Sequence, residues 1–211
     1  VASFNVGKFN AHSEKSRRMM DDIIDLELEK IELIINKIAA DPEDEDIRRV
    51  ELELWKKIRT MARKGRRTGL GITAEGDMLA ALGLRYGTPE ATAFAVKVQK
   101  TLALEAYRAS VKMAAERGAF EIFDARKEEK NPMIGRIREA DPELYAEMVK
   151  HGRRNIAMLT IAPTGTTSIM SQTTSGIEPD FRPVYQRRHK NNPSDHDAKV
   201  AFADDLGEKF E

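Results

Sequence analysis

The chain contains no cysteine in 211 residues. That excludes disulfides, thiolate metal sites and cysteine catalysis within this sequence. It has no surplus of either charge, because 35 Lys and Arg balance 35 Asp and Glu. Net charge therefore gives no argument for a nucleic-acid partner or an anionic membrane. No apolar run approaches the length of a membrane span. The four histidines (His12, His151, His189 and His196) show no metal-ligand spacing, so no metal site is expected. Acidic residues are plentiful, but no spacing among them selects a catalytic pair. The opening Val1-Ala-Ser-Phe-Asn-Val6 does not resemble a secretory leader. It lacks an initiator methionine and reads as a short strand entered partway, as expected of a chain cut from something longer.

What remains is a sequence that is 41% hydrophobic and 33% charged, a composition that suits a helix-rich globular protein. Apolar residues at Ile24, Leu28, Ile31, Ile35 and Ile38 predict an amphipathic helix over about 14–38. Asp41-Pro42-Glu43 is a helix start signal. The helix it opens carries Ile47, Val50, Leu54, Ile58 and Met61 on one face. The short break between these helices predicts an antiparallel hairpin over 14–64. Thr73 can cap a short helix running to Gly83. Thr88-Pro89-Glu90 and Asp141-Pro142-Glu143 start two more. The first of these carries Phe94, Val98, Leu102, Ala106, Ala109 and Met113 on one side and ends at Arg117-Gly118. Residues 121–136 read as polar and irregular. Short strands are expected at about 2–6, 68–72, 156–161 and 182–187, and a charged tail covers 186–211. Strands separated by helices predict an α/β class. There are too few strands to close a sheet.

Chemistry concentrates in residues 155–179. An apolar run, Asn155-Ile-Ala-Met-Leu-Thr-Ile-Ala162, enters Pro163-Thr164-Gly165-Thr166-Thr167-Ser168, after which a helix can begin. A strand, a glycine turn and a helix start are the usual geometry for holding a phosphate. Free backbone N–H groups and the helix dipole both favour an anion there. Gly165 presents no Cβ to an approaching ligand, and the Thr and Ser side chains add hydroxyl donors. No lysine follows Gly165, so the segment is not a Walker A loop. The plainer alternative is a Ser/Thr-rich turn with a Thr or Ser side chain capping the helix.

Other motifs fall short. Gly69-Leu70-Gly71 would need a third glycine where Ala74 stands to be a dinucleotide fingerprint. The clusters Arg63-Lys64 with Arg66-Arg67, Arg153-Arg154 and Arg187-Arg188 read as solvated or helix-capping groups. Without interleaved aromatics they make a weak case for single-stranded nucleic acid.

The segment from Asn155 to Ser168, followed by Thr174-Ser-Gly-Ile-Glu178-Pro179, resembles the substrate-phosphate segment of ribonucleotide reductase catalytic subunits. Four further stretches resemble the same family in the same order. They are Ala2–Val6, Met20–Glu27, Arg66–Ile72 with Gly76–Ala80, and Tyr185–Arg188 with Asn192-Pro193. The long hairpin and the tail from Arg187 look most like the adenosylcobalamin-dependent class.

The resemblance implies a helix-rich fragment of a ten-stranded α/β barrel, the C-terminal part of the catalytic barrel domain. It implies that Pro163, Thr164, Gly165, Thr166, Thr167 and Ser168 hold the phosphates of a ribonucleoside di- or triphosphate. In that family a thiyl radical and two reducing cysteines perform the reduction. With no cysteine here, no catalytic residue carries over, and the fragment alone is expected to be inactive. The expected partner is a complementary N-terminal half bearing the cysteines. A homo-oligomer is also foreseen, since an isolated half-barrel would leave strand edges open. The resemblance further implies a cytoplasmic protein without membrane or nucleic-acid partners. Adenosylcobalamin would serve the intact enzyme and is not expected to bind this segment alone. The competing expectation is a diverged, non-catalytic module that uses its helices for interaction.

Overall fold

The computed structural model describes residues 2–182, 184, 188–192, 194, 199–203 and 209–210. It divides into a unit over 1–179 and a second over 180–211.

The first unit is built from helices. α1 spans Val6–Ala39, α2 Glu45–Gly65, α3 Glu75–Ala81, α4 Pro89–Arg117, α5 Pro132–Ala140, α6 Pro142–His151 and α7 Gly165–Ser171. The start signals act as local chemistry dictates. The Thr88 hydroxyl accepts from the Ala91 amide, and the Asp141 carboxylate accepts from Leu144, each with a proline following. Gly118, at φ +87°, closes α4.

Several sequence expectations need correction. Residues 2–6 are not a strand, because the Asn5 side chain accepts from the Lys8 amide and caps α1. α2 is capped by Asp44 rather than Asp41. Thr73 does not cap α3; Ala74 occupies that position at φ +64°. The stretch 121–136 holds a 3-10 turn at Ala125–Glu128 and the start of α5, capped by Asn131. An Asn-Pro pair inside a polar run hid that helix start.

The α/β expectation holds only for the helix-rich part. Among the described residues of the first unit, β structure is one parallel bridge, Leu70 to Leu159. Around it, the Thr68 amide donates to Ala157 O at 3.0 Å, Leu70 to Met158 O at 2.7 Å and Thr160 to Leu70 O at 3.0 Å. Two extended segments expected as strands thus run side by side in parallel, too briefly to form a sheet.

The core lies where α4 meets α1 and α6, with α5 packed on α6. Ile24, Ile31, Ile35 and Ile38 of α1 are buried. So are Val98, Leu102, Ala106, Ala109 and Met113 of α4. Tyr107, Val111, Ile134, Ile137, Leu144, Met148 and Met158 form one cluster. α2 lies antiparallel on α1. Arg59 near its end bonds Glu32 at 2.7 Å, while Arg48 near its start bonds the Asp41 carbonyl at 3.1 Å. Of the apolar face read from sequence, Ile58 is half-buried against α1. Ile47, Val50, Leu54 and Met61 are more than half exposed. Among the described residues, no helix is long and apolar enough to cross a membrane.

In the second unit Phe202–Ala203 (β1) pairs antiparallel with Lys209–Phe210 (β2). The Arg188 guanidinium lies 4.6 Å from the Phe202 ring centroid. The strand expected at 182–187 falls largely outside the described residues, as do Arg187, His196 and Leu206.

Candidate phosphate-binding site

The loop before α7 is locked by hydrogen bonds made away from its open face. Thr164 sits at φ +51°, and its hydroxyl does not cap α7. Instead it accepts from the Gly176 amide at 2.7 Å and pairs with the Thr73 hydroxyl at 2.9 Å. Thr73 also donates to Thr174 O at 3.1 Å. Asp77 accepts from the Thr174 amide at 2.8 Å, while the Asp77 amide donates to the Thr174 hydroxyl at 3.3 Å. The start of α3 and the turn after α7 therefore clasp each other on both sides of Thr164.

Glycines make this close approach possible. A Cβ on Gly71 would lie 2.6 Å from Thr160 O, and one on Gly76 would lie 2.5 Å from Glu178 O. Gly176 has φ +49°, and its Cβ would meet Ala162 O at 2.9 Å. Gly69 and Gly71 thus serve chain packing. Gly165 differs, because nothing lies within 4 Å of the position its Cβ would take.

The six residues singled out from sequence do not play equal parts. Pro163 has no N–H to donate. The Thr164 and Ser168 hydroxyls are used internally. Ser168 is buried, donates to Gly165 O at 2.7 Å and pairs with the Ser175 hydroxyl at 2.8 Å. Gly165, Thr166 and Thr167 are exposed. The first backbone bond of α7 runs from the Ser168 amide to Thr164 O at 2.8 Å. The three preceding amides therefore take no partner among the described residues, as expected of a first helical turn. The Thr166 and Thr167 hydroxyls are likewise unengaged there. Side-chain capping by Thr or Ser, the plainer alternative, is not what the structure contains.

At the start of the segment that leads into the loop lies a polar network that sequence reasoning missed. Asp21 is fully buried. Its Oδ1 accepts from Arg66 Nε and from Asn155 Nδ2, both at 2.8 Å, and its Oδ2 accepts from Arg154 Nε at 3.1 Å. Arg66 also reaches Asp25 at 2.8 Å. Asn155 donates to Arg66 O at 3.1 Å and accepts from the Ser110 hydroxyl at 3.0 Å. Burial alone would raise the Asp21 carboxyl, but the donors from Arg66, Asn155 and Arg154 more than reverse that, and its pKa lies below the ordinary carboxylate value. Burial likewise opposes the charge on Arg66, and its two aspartates restore it, leaving the guanidinium above its usual value.

Arg17 is also buried. It donates to Met158 O at 3.0 Å and to the Thr68 hydroxyl, which pins the two parallel segments together. Burial lowers its pKa to about 10, with Asp21 opposing the shift. Arg153 is 2% exposed and forks onto Glu128. Its guanidinium carbon lies 5.4 Å from the Phe120 ring and 5.7 Å from the Phe123 ring.

Of the clusters expected to be solvated or helix-capping, Arg63 and Arg67 are exposed and Arg66 is the C-cap residue of α2, but Arg66 and Arg153 are buried and Arg154 is half-buried. Each paired cationic residue fixes the chain that enters the loop. Asp21, Asp22 and Asp25 bring carboxylate oxygens within 4.8 Å of one another. Arg66, Arg154 and Arg117 already neutralise them. One signal could have revealed the network: Asp21 falls on the buried side of α1 with Arg17, Ile24 and Ile31.

The arrangement is a set of packed helices presenting an open, amide-lined turn. Family comparison agrees with the resemblance of the five motifs. Residues 2–208 match the model described as ribonucleotide reductase, barrel domain. The chain belongs to that family.

Among curated proteins it is 35% identical over 127 residues to the vitamin B12-dependent ribonucleoside-diphosphate reductase of Mycobacterium tuberculosis. That match covers 60% of this chain and 16% of the relative. It is 34% identical over 146 residues to the protein of the same description from Thermoplasma acidophilum, covering 69% and 16%. The ribonucleoside-diphosphate reductase subunit alpha of Treponema pallidum is 31% identical over 134 residues, covering 59% and 15%. The matched region thus spans about a sixth of each relative's length.

Proposed function

We propose that this chain contributes the substrate-phosphate wall of a ribonucleotide reductase catalytic subunit, acting on ribonucleoside di- or triphosphates. In this reading the paired segments at Leu70 and Leu159 are two strands of the ten-stranded α/β barrel. The remaining strands, and the cysteines for the radical and for reduction, come from other polypeptide. The observation that carries the reading is the unengaged trio of amides at Gly165, Thr166 and Thr167, exposed at the start of α7. The Thr166 and Thr167 hydroxyls add donors for phosphate oxygens. Pro163, Thr164 and Ser168 shape the turn, with Thr164 held at its positive φ by Gly176 and Thr73. The chain's part in the reaction is to bind and orient; orientation lowers the barrier but supplies no radical.

The vitamin B12-dependent relatives favour adenosylcobalamin as the radical source of the intact enzyme. The groove of about 760 Å³ between α3, α4 and α5 is lined mainly by apolar residues, with no histidine. No step is therefore assigned to cobalamin on this chain.

The test is a titration of the chain with a ribonucleoside diphosphate and with pyrophosphate, followed by amide NMR. Shifts should centre on residues 165–167 and vanish in Gly165→Asp, which places a carboxylate at the anion. That variant should keep its thermal stability, because open space surrounds position 165. A wild-type chain without shifts at these amides would favour the non-catalytic interaction module.

A further inference from the structure

Side chains do not fill the space where α3, α4 and α5 approach one another. α4 contributes Ala91, Ala95 and Ala103 there, and side chains this short leave the groove of about 760 Å³ open. Its floor is made by the buried residues Leu79, Ala91 and Ile137, and its walls by the half-buried Leu104 and Met133. That volume is typical of sites for small organic molecules, and an apolar lining favours an apolar body.

One floor residue does not suit an apolar cleft. Glu75, in the first turn of α3, lines the groove and is only 6% exposed. Its amide donates to Gly176 O at 3.2 Å, which fixes the backbone beneath it. Its Oε2 accepts from Gln99 Nε2 at 2.7 Å. Its Oε1 has no hydrogen-bond partner among the described residues, yet it is not sealed off from the groove. A carboxylate oxygen in an apolar hollow is costly to leave without a donor. No cation of the groove supplies one. Lys100 and Arg136 are exposed at its mouth, with Glu139 beside them, and neither bonds Glu75.

We propose that this groove is a binding site for a small amine monocation with an apolar body, its ammonium on Glu75 Oε1 and its hydrocarbon against Leu79, Leu104 and Ile137. The lone carboxylate at the floor takes one positive donor, and such a charge-assisted bond is about twice as strong as a neutral one. Gln99 holds the other oxygen and so aims Oε1 at the ligand. The surplus of positive charge at the mouth disfavours a second cationic group, which separates this ligand class from the polyamines. The site is independent of the phosphate-loop reading.

Methyl NMR titrations of the chain with phenylbutylamine, with the uncharged phenylbutanol and with putrescine test it. Phenylbutylamine should shift the methyl signals of Leu79, Leu104 and Ile137, with a Kd on the order of 1 mM for a ligand of that size. Phenylbutanol and putrescine should each bind at least about tenfold more weakly. Glu75→Gln keeps the shape of the side chain and an acceptor for Gln99, and it should abolish the preference for the amine over the alcohol. Ala95→Phe puts a ring into the open groove and should weaken the amine and the alcohol alike, so the result does not depend on one substitution. Far-UV circular dichroism should show both variants folded. A wild-type chain whose groove methyls do not respond to the amine overturns the proposal. So does an amine that binds no tighter than the alcohol or putrescine, or a preference that survives Glu75→Gln. Amine binding indifferent to Ala95→Phe overturns it too, because the ligand would then sit elsewhere.

Discussion

Replacing Asp21 with Asn tests whether the buried network holds the loop in place. The side chain stays nearly the same size, so packing is not the variable. One accepting oxygen becomes a donor facing donors. Arg66 at 2.8 Å, Asn155 at 2.8 Å and Arg154 at 3.1 Å lose a shared anion. Arg17 and Arg117 lose a nearby counter-charge. Removing one partner from a buried ion pair costs about 3–5 kcal/mol, because the remaining charges stay desolvated. For a chain of this size each kcal/mol moves the melting temperature by about 2–4 °C, so the drop should be roughly 6–20 °C. Asp22→Asn is the control. Its neighbouring carboxylate is half exposed and bonds Arg117 at 2.7 Å, and its loss should cost less than about 1 kcal/mol. Urea denaturation followed by circular dichroism measures both. If Asp21→Asn falls within about 1 kcal/mol of Asp22→Asn, the network does not carry the load argued here. Because Asn155 opens the segment leading to the loop, Asp21→Asn should also broaden the amide signals of residues 165–167.

Two other outcomes follow from the same geometry. Gly76→Ala would drive a Cβ to 2.5 Å from Glu178 O and 2.8 Å from Pro179 Cα. It should destabilise the chain by about 1–3 kcal/mol and weaken phosphate binding, measured by thermal melts and by the same NMR titration. Acid should unfold the chain through its depressed carboxylates. Asp21 lies low because the donors from Arg66, Asn155 and Arg154 outweigh burial; Asp141 lies low through the Leu144 amide, against burial, with help from Arg108. Their stabilisation is complete above the unfolded carboxylate value near 3.8 and is lost as pH falls through the lower folded values. The urea midpoint should therefore fall steeply below about pH 4, and Asp21→Asn should flatten that dependence.

Much of the chain was legible as a string because its signals are local. Thr88-Pro89, Asp141-Pro142 and Gly118 act within one helical turn, and the apolar side of α4 repeats at helical spacing. The turn from Pro163 to Ser168 stood out for the same reason: a glycine amid hydroxyls before a helix start is chemistry between neighbours. The strands were less secure. An extended segment acquires an identity only from a partner, and here Leu70 finds Leu159, 89 positions further along the sequence.

The sequence by itself therefore determined where most helices begin, which sides of them are apolar, and that this cysteine-free chain carries an anion-suited turn. Tertiary structure alone decided which apolar sides meet. The stripe of α2 resembles a core stripe in periodicity but faces outward, because α1 takes up the adjacent side. Tertiary structure also decided the fate of the arginines. A guanidinium beside another in sequence looks solvated, yet Arg66, Arg154 and Asn155 converge on Asp21 from positions up to 134 residues away. Burial and long-range pairing depend on which segments the fold brings within a few ångströms, and local spacing carries no record of that distance.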